Sequence, residues 1–195
     1  SGSVTGVQTC ALPISNFEAG KNFVINTPGL FGYFEGMKKL SFDLSFTKPQ
    51  GFYAATGLKP VSSSSTNDLF HCANADELYD SPLMFSLPDT TSIRVGNADV
   101  LVAVYSPKKI VTAKFIAANL EKLLMATKNY LKGKLPVDKY AFIYYFNGEQ
   151  APLSSSGAWE HSYSSFYSVT ERPQEEGISM WVDISSHEFF HIVRF

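Results

Sequence analysis

The chain has 195 residues, of which 45% are apolar and 17% charged, and its formal net charge is −2. This composition favours a globular protein over a disordered chain, and the lack of a basic stripe argues against a nucleic-acid partner. No apolar run approaches the roughly 18 residues that span a bilayer, so no transmembrane segment is predicted. The aromatic content of 14% favours a β-rich globular protein with one large domain or two small ones.

The first residues of the chain resemble a translated sequencing-library adapter, most clearly from Val4 to Ser15. We therefore exclude residues 1–15 from the fold prediction, as one would an expression scar. The alternative interpretation is a natural N-terminal strand. Once Cys10 is set aside, only Cys72 remains, so no internal disulfide is expected. The cysteines therefore do not indicate whether the protein works in an oxidising or a reducing compartment.

Residues 16–106 have the patterns of β structure. Segment 40–46 alternates apolar and polar side chains, which is typical of a half-buried strand. Residues 49–51 predict a tight turn, and Gly96-Asn97 predicts a hairpin turn. A flexible connection is predicted at 62–65, and further strands are predicted at 23–25, 52–55, 92–95 and 100–105. We expect antiparallel β structure up to residue 106.

The character of the sequence changes after residue 106, and a domain boundary is predicted there. Apolar side chains recur at helical spacing from Thr112, a suitable N-cap, to Leu131, and Gly133 fits the C-terminal stop. Segment 140–146 is apolar throughout, which indicates a strand buried on both faces.

The last part of the chain is predicted to hold a loop, two strands and a second helix. Residues 154–157 indicate a loop, and residues 161–169 an edge strand. Residues 178–182 are predicted to form a strand that leads into a helix capped at Asp183 or Ser185.

That second helix carries a HExxH motif, His187-Glu188-Phe189-Phe190-His191. Histidines four residues apart lie on one face of a helix, where two imidazoles can bind one tetrahedral zinc ion. Glu188 reaches a water molecule rather than the metal, so it is predicted to act as general base. Phe189 and Phe190 are expected to face the core.

The alternative to a metal site is a chance match to the motif, and the other histidines of the chain do not point to a site. A chance match to HExxH is uncommon, and the strand and serine cap predicted before the motif are the context that a functional motif requires. His71 is predicted to be a surface or structural residue in a loop. His161 directly follows Glu160, and that pair alone carries no meaning.

Three separate stretches resemble the glycyl aminopeptidase family (metallopeptidase family sixty-one), a group of gluzincins. Residues 75–83 are similar to the family's D-E-L-x-D-S-P signature, and residues 157–161 to its G-x-x-E-H element. The zinc motif at 187–191 is the third stretch. Three motifs in the family's order are much more specific than HExxH alone.

The resemblance implies an α+β fold: an N-terminal antiparallel β-sandwich at 16–106, then the first half of a thermolysin-like (gluzincin) catalytic domain at 107–195. It implies substrate binding by Gly157, Ala158 and Glu160, with the Glu160 carboxylate holding the free α-amino group of a peptide. The implied cofactor is Zn²⁺, and a PDZ domain is expected in the missing C-terminal part of a bacterial protein. A periplasmic or secreted location is one option that the resemblance leaves open.

The chain also departs from the family pattern. Ile192-Val193 stand where the family has a tryptophan and a basic helix, so a glycine preference does not carry over. The family's third zinc ligand and its oxyanion-stabilising residue lie beyond Phe195, so we expect a fragment that is inactive by itself.

Three functions remain open at this point. The leading hypothesis is a zinc-dependent aminopeptidase that acts on short peptides. The alternatives are an endopeptidase with the same zinc chemistry and a non-catalytic, protein-binding relative. Glu160 separates the first two, because an endopeptidase needs a cleft that stays open where Glu160 would cap it, while Glu188 argues against the third.

Overall fold

The computed structural model describes residues 15–148 and 157–193. The described helices are α1 Thr27–Leu30, α2 Ala75–Tyr79, α3 Ala113–Tyr130 and α4 Gln174–Phe190. The described strands are β1 Asn16–Glu18, β2 Asn22–Ile25, β3 Phe42–Thr47, β4 Tyr53–Ala55, β5 Pro60–Ser63, β6 Asn67–Cys72, β7 Leu83–Ser86, β8 Thr90–Val95, β9 Ala98–Tyr105, β10 Lys139–Asn147, β11 Gly157–Glu160 and β12 Ser164–Thr170. The adapter-like segment lies outside the described residues, except for Ser15, and so does most of the predicted loop at 154–157.

The N-terminal part forms two antiparallel sheets, which agrees with the prediction of antiparallel β structure. One sheet has the order β1-β2-β7-β4 and the other the order β3-β6-β5. Their shared core includes Ile25 and Phe85 from the first sheet and Leu44 and Phe70 from the second. Because alternate side chains of a strand point to opposite faces, the neighbouring Val24 and Met84 are buried on the other side.

A third sheet follows, with the order β11-β12-β10-β9-β8. Strands β9, β10 and β12 are parallel neighbours, whereas β8 and β11 run antiparallel at the two edges. The predicted hairpin turn at Gly96-Asn97 joins β8 to β9. The predicted domain boundary after residue 106 stays a prediction, while the strand pairing itself changes between β7 and β8, so β9 lies in the same sheet as β10.

The molecule is layered, with the four-stranded sheet in the middle of the β structure. Its second face packs on the five-stranded sheet through residues such as Ala141 and Phe166. The other face of the five-stranded sheet is covered by α3 and α4, and its core includes Tyr140, Phe142 and Trp181. Strand β10 is therefore buried on both faces, as its apolar run predicts.

Helix α3 follows the prediction closely. The Thr112 side chain accepts a hydrogen bond from the Phe115 N–H at the N-cap, and Gly133 adopts a left-handed φ of 92° just beyond the C-terminus. No helix among residues 15–148 and 157–193 is long and apolar enough to cross a membrane.

Helix α4 contradicts the prediction for residues 178–182. Those residues lie inside α4, which begins after Pro173, so neither Asp183 nor Ser185 caps it. The run is apolar enough for a strand, but its burial has helical spacing at Gly177, Trp181 and Ser185. The acidic first turn after Pro173 was the local signal of the true helix start.

Three smaller predictions also need correction. Residues 60–63 form β5, so half of the predicted flexible connection at 62–65 is strand. The edge strand at this end of the sheet is β11, whereas β12 pairs on both sides and is buried. His71 lies in β6 rather than in a loop, where it pairs with Asp43 of β3 at 2.7 Å.

Candidate metal and peptide site

Helix α4 and its C-cap residue His191 present the two histidines and Glu188 of the motif on a face directed away from the core. Phe189 is fully buried, whereas His187 and His191 are exposed and Glu188 is partly buried. The expectation that both phenylalanines face the core is wrong for Phe190, which is 42% exposed. Its ring contacts Tyr130 of α3, with ring centroids 5.7 Å apart.

The two histidines are close enough to share one metal ion. The Nε2 atoms of His187 and His191 lie 3.4 Å apart. Two nitrogen ligands at 2.0–2.1 Å from one tetrahedral zinc ion lie about 3.4 Å apart. The donor type and the spacing of this pair therefore fit a zinc ion.

Strand β11 brings Glu160 to the same place. Its Oε2 atom lies 2.8 Å from His191 Nε2, although 31 positions separate the two residues in the chain. Ligand atoms of Glu160, Glu188 and His191 all lie within 4.8 Å of one another. These three residues with His187 form what we call the α4–β11 cluster.

The charges of the α4–β11 cluster act on Glu188. Burial raises the pKa of Glu188 above its ordinary value of 4.5, and the negative charge of Glu160 adds to this effect. His187 and His191 oppose it. A carboxylate with a raised pKa is a better proton acceptor, which is what a general base requires.

A buried aromatic layer supports α4 beneath the cluster. The Phe189 ring packs edge-on against Tyr140 of β10, with centroids 4.9 Å apart. One turn earlier, the Ser185 hydroxyl donates to the Trp181 carbonyl at 2.6 Å and is also hydrogen-bonded to the Tyr144 hydroxyl. These contacts hold the helix, and with it the two histidines, in a fixed orientation against the sheet.

The other two predicted substrate-binding residues lie on the same edge strand as Glu160. Gly157 and Ala158 pair with Ser168 and Tyr167 of β12, so the opposite edge of β11 has no neighbouring strand among the described residues. An open strand edge can bind an extended peptide through its backbone.

The loop between β11 and β12 contains contacts that the sequence did not reveal. Asp80 accepts a hydrogen bond from the Ser162 N–H at 2.8 Å, and its other oxygen lies 3.3 Å from His161 Nδ1. Burial, the strongest influence, acts to raise the pKa of Asp80, but hydrogen bonds from His161 and Ser162 bring it below its ordinary value. Two of the three family-like stretches thus touch each other. The sequence signal for these two stretches was their resemblance to the family's motifs, and that resemblance did not predict that they touch.

A cavity of about 870 Å³ opens beside this loop. Its lining includes Ser162, Tyr163, Ile192 and Val193, but none of the side chains of the α4–β11 cluster. The cavity therefore borders the site without containing it.

Residues 11–87 match the family model of the Peptidase M61 N-terminal domain. The match begins inside the adapter-like segment and ends after β7, close to the division between the sheets. No curated protein sequence matches the chain significantly.

Solved structures share the fold. A crystal structure of an aminopeptidase N family protein from Idiomarina loihiensis superposes with a TM-score of 0.76 at 18% sequence identity. The alignment covers 89% of this chain and 30% of the other, so the chain spans about a third of that protein's length. At this identity, the similarity establishes the fold alone. The family match confirms the predicted resemblance to the glycyl aminopeptidase-like M61 family, because residues 11–87 match the N-terminal domain of those peptidases.

Proposed function

We propose that the chain is part of a zinc-dependent aminopeptidase, in which α4 and β11 form one wall of the active site of a thermolysin-like (gluzincin) domain. The activity belongs to a whole protein longer than this chain, because the solved relative is about three times as long. That relative is described as an aminopeptidase N family protein, which supports the reaction class.

The observation that carries the proposal is the geometry of the α4–β11 cluster. The 3.4 Å separation of the His187 and His191 Nε2 atoms suits two ligands of one zinc ion. Glu160 lies 2.8 Å from His191 Nε2, so a carboxylate is available where the end of a peptide would meet the metal. Neither feature alone distinguishes a peptidase from another metal-binding protein. Together they suit an enzyme that removes residues from the N-terminus of a peptide.

Each residue has a distinct role. A zinc ion bound at His187 and His191 would supply Lewis-acid chemistry, polarising a carbonyl and activating a water molecule. Glu188 takes the proton of the attacking water and passes it to the leaving amine. Glu160 pairs with the α-ammonium group of the substrate, and Gly157 and Ala158 align the peptide backbone along the edge of β11. This pairing places the first peptide bond of the substrate next to Glu188.

The zinc chemistry is tested by substitutions in the full-length protein. Glu188→Gln is expected to keep the zinc content and to lose nearly all turnover of an aminoacyl reporter, because the base is gone while both imidazoles remain. His187→Ala is expected to lose both. Glu176→Gln is the matched control, since it makes the same change in the exposed first turn of α4. Near-normal turnover by Glu188→Gln refutes the general-base role, and no turnover of the reporter by the wild type leaves the endopeptidase or a non-catalytic, protein-binding relative.

The aminopeptidase assignment is tested with paired substrates that have free or acetylated N-termini. The wild type is expected to cleave the free form far faster, because only an ammonium group pairs with Glu160. Glu160→Ala is expected to abolish that preference. Equal cleavage of both substrates by the wild type favours the endopeptidase.

A further inference from the structure

The loop after Glu160 is held by the N-terminal domain through a polar contact. Glu160 is the last residue of β11, and residues 161–163 connect it to β12. Asp80 follows α2 directly and accepts from the Ser162 N–H at 2.8 Å, while its other oxygen lies 3.3 Å from His161 Nδ1. Both partners are largely shielded, with side-chain exposures of 16% for His161 and 31% for Asp80.

A second contact holds the same loop sterically. Gly57, between β4 and β5 of the N-terminal domain, lies so close to Tyr163 that an added Cβ would come within 2.9 Å of the Tyr163 carbonyl oxygen. The Tyr163 carbonyl accepts a hydrogen bond from the Ala141 N–H of β10 at 3.0 Å. The loop is therefore clamped between the N-terminal domain and the central strand.

Strand β11 needs such support. It has four residues and, among residues 15–148 and 157–193, pairs on one side only, with Glu160 opposite Ser165. A short edge strand frays easily, because few hydrogen bonds hold its end. The orientation of the Glu160 carboxylate thus depends on the loop that follows it.

We propose that Asp80 is a positioning residue for the peptide N-terminus: by holding residues 161–163, it orients Glu160 toward the α-ammonium group of the substrate. The N-terminal domain thereby sets the preference for peptides with a free amine. This inference rests on the proposed role of Glu160, and Asp80 itself does not touch the substrate.

The test compares Asp80→Ala with Asp76→Ala in the full-length protein. Asp76 lies on α2, is exposed and pairs with Lys38, so it matches the chemical change without touching the loop. Asp80→Ala is expected to raise KM for the free-amine substrate about tenfold, the loss typical of one charge-assisted hydrogen bond. Zinc content, kcat and cleavage of the acetylated substrate should stay as in the Asp76→Ala protein.

Two further variants sharpen the result. Asp80→Asn keeps an oxygen that accepts from Ser162, so it should recover most of the lost affinity. In a Glu160→Ala background, Asp80→Ala should have no further effect, because Asp80 acts only through Glu160. An additional loss in that background, or a wild-type KM for Asp80→Ala, overturns the inference.

The failure of this inference can be told apart from that of the proposed function. If Glu160→Ala leaves the preference for free amines intact, the proposed function fails first. If Glu160→Ala abolishes the preference and Asp80→Ala behaves like Asp76→Ala, only the role of Asp80 fails. Should Asp80→Ala not fold, Gly57→Ala perturbs the same loop with Asp80 intact; the same loss of preference is expected, and an unchanged preference overturns the inference.

Discussion

Replacing Gly177 with alanine should destabilise the protein, although alanine is the better helix former. Gly177 lies in α4 beneath the ring of Trp181, and an added Cβ would come within 2.2 Å of Trp181 Cζ2 and 2.4 Å of its Cη2. The ring cannot swing aside, because Trp181 is only 1% exposed and packs edge-on against Phe146 at 4.8 Å.

Two opposing effects set the magnitude. Exchanging glycine for alanine inside a helix contributes about 1 kcal/mol of stability. Forcing a methyl group into a packed core costs about 1–3 kcal/mol, and contact with several ring atoms of Trp181 places Gly177→Ala at the upper end. The net loss is about 1–2 kcal/mol, which lowers Tm by about 2–8 °C for a chain of this size.

Thermal unfolding followed by circular dichroism measures this loss. Ser179→Ala is the matched control, because Ser179 is an exposed residue of the same helix and its replacement adds helix propensity without a clash. Adding Trp181→Phe to Gly177→Ala removes the clashing ring atoms, so the double variant should lose less than the sum of the single changes. An increase in Tm for Gly177→Ala similar to that of Ser179→Ala would refute the reasoning.

Three other outcomes are expected. Phe189→Ala should cost about 3–5 kcal/mol in urea unfolding, whereas Phe190→Ala, which removes a half-exposed ring, should cost about 1 kcal/mol or less; similar losses would contradict the assigned burial. Burial lowers the pKa of Lys139 to about 8 from 10.5, so the unfolded chain binds more protons between these values. The free energy of unfolding of the wild type should therefore rise from pH 8 to 10.5 relative to that of Lys139→Met. If the two proteins show the same dependence of this free energy on pH, the lowered pKa of Lys139 is refuted. Burial also raises the pKa of the Cys72 thiol to about 11. In a Cys10→Ser background, a thiol reagent at pH 8 should modify Cys72 only after the protein unfolds. Rapid labelling of the native protein would show that the Cys72 thiol is not buried.

Features with local causes were predictable from the sequence. The start of α3 after Thr112 and its end before Gly133 depend on backbone groups within a few residues, and so does the hairpin at Gly96-Asn97. The prediction of a strand at 178–182 is wrong because the deciding contact is not local. Its apolar run suits a buried strand and a buried helix equally, and packing of Trp181 against β10 decides in favour of the helix.

The candidate site also combines a feature with a local cause and a feature that depends on contacts between distant segments. The HExxH spacing by itself determined that His187 and His191 share one helical face, because the helix repeat brings residues four apart together. The family resemblance, rather than any physical pattern, directed attention to Glu160. Its approach to His191 crosses from an edge strand to a helix, and no local rule measures that distance.

Local patterns thus predict the C-terminal part of the motif helix, the apolar central strand and the antiparallel character of the N-terminal part. The pairing of β8 and β9 with β10 in one sheet, and the contact of Asp80 with the loop at Ser162, could be learned only from the folded structure. Strand pairing and side-chain contacts between segments far apart in the chain depend on how whole sheets pack. Their partners are chosen by the burial of many residues at once, and no short stretch of sequence contains that information.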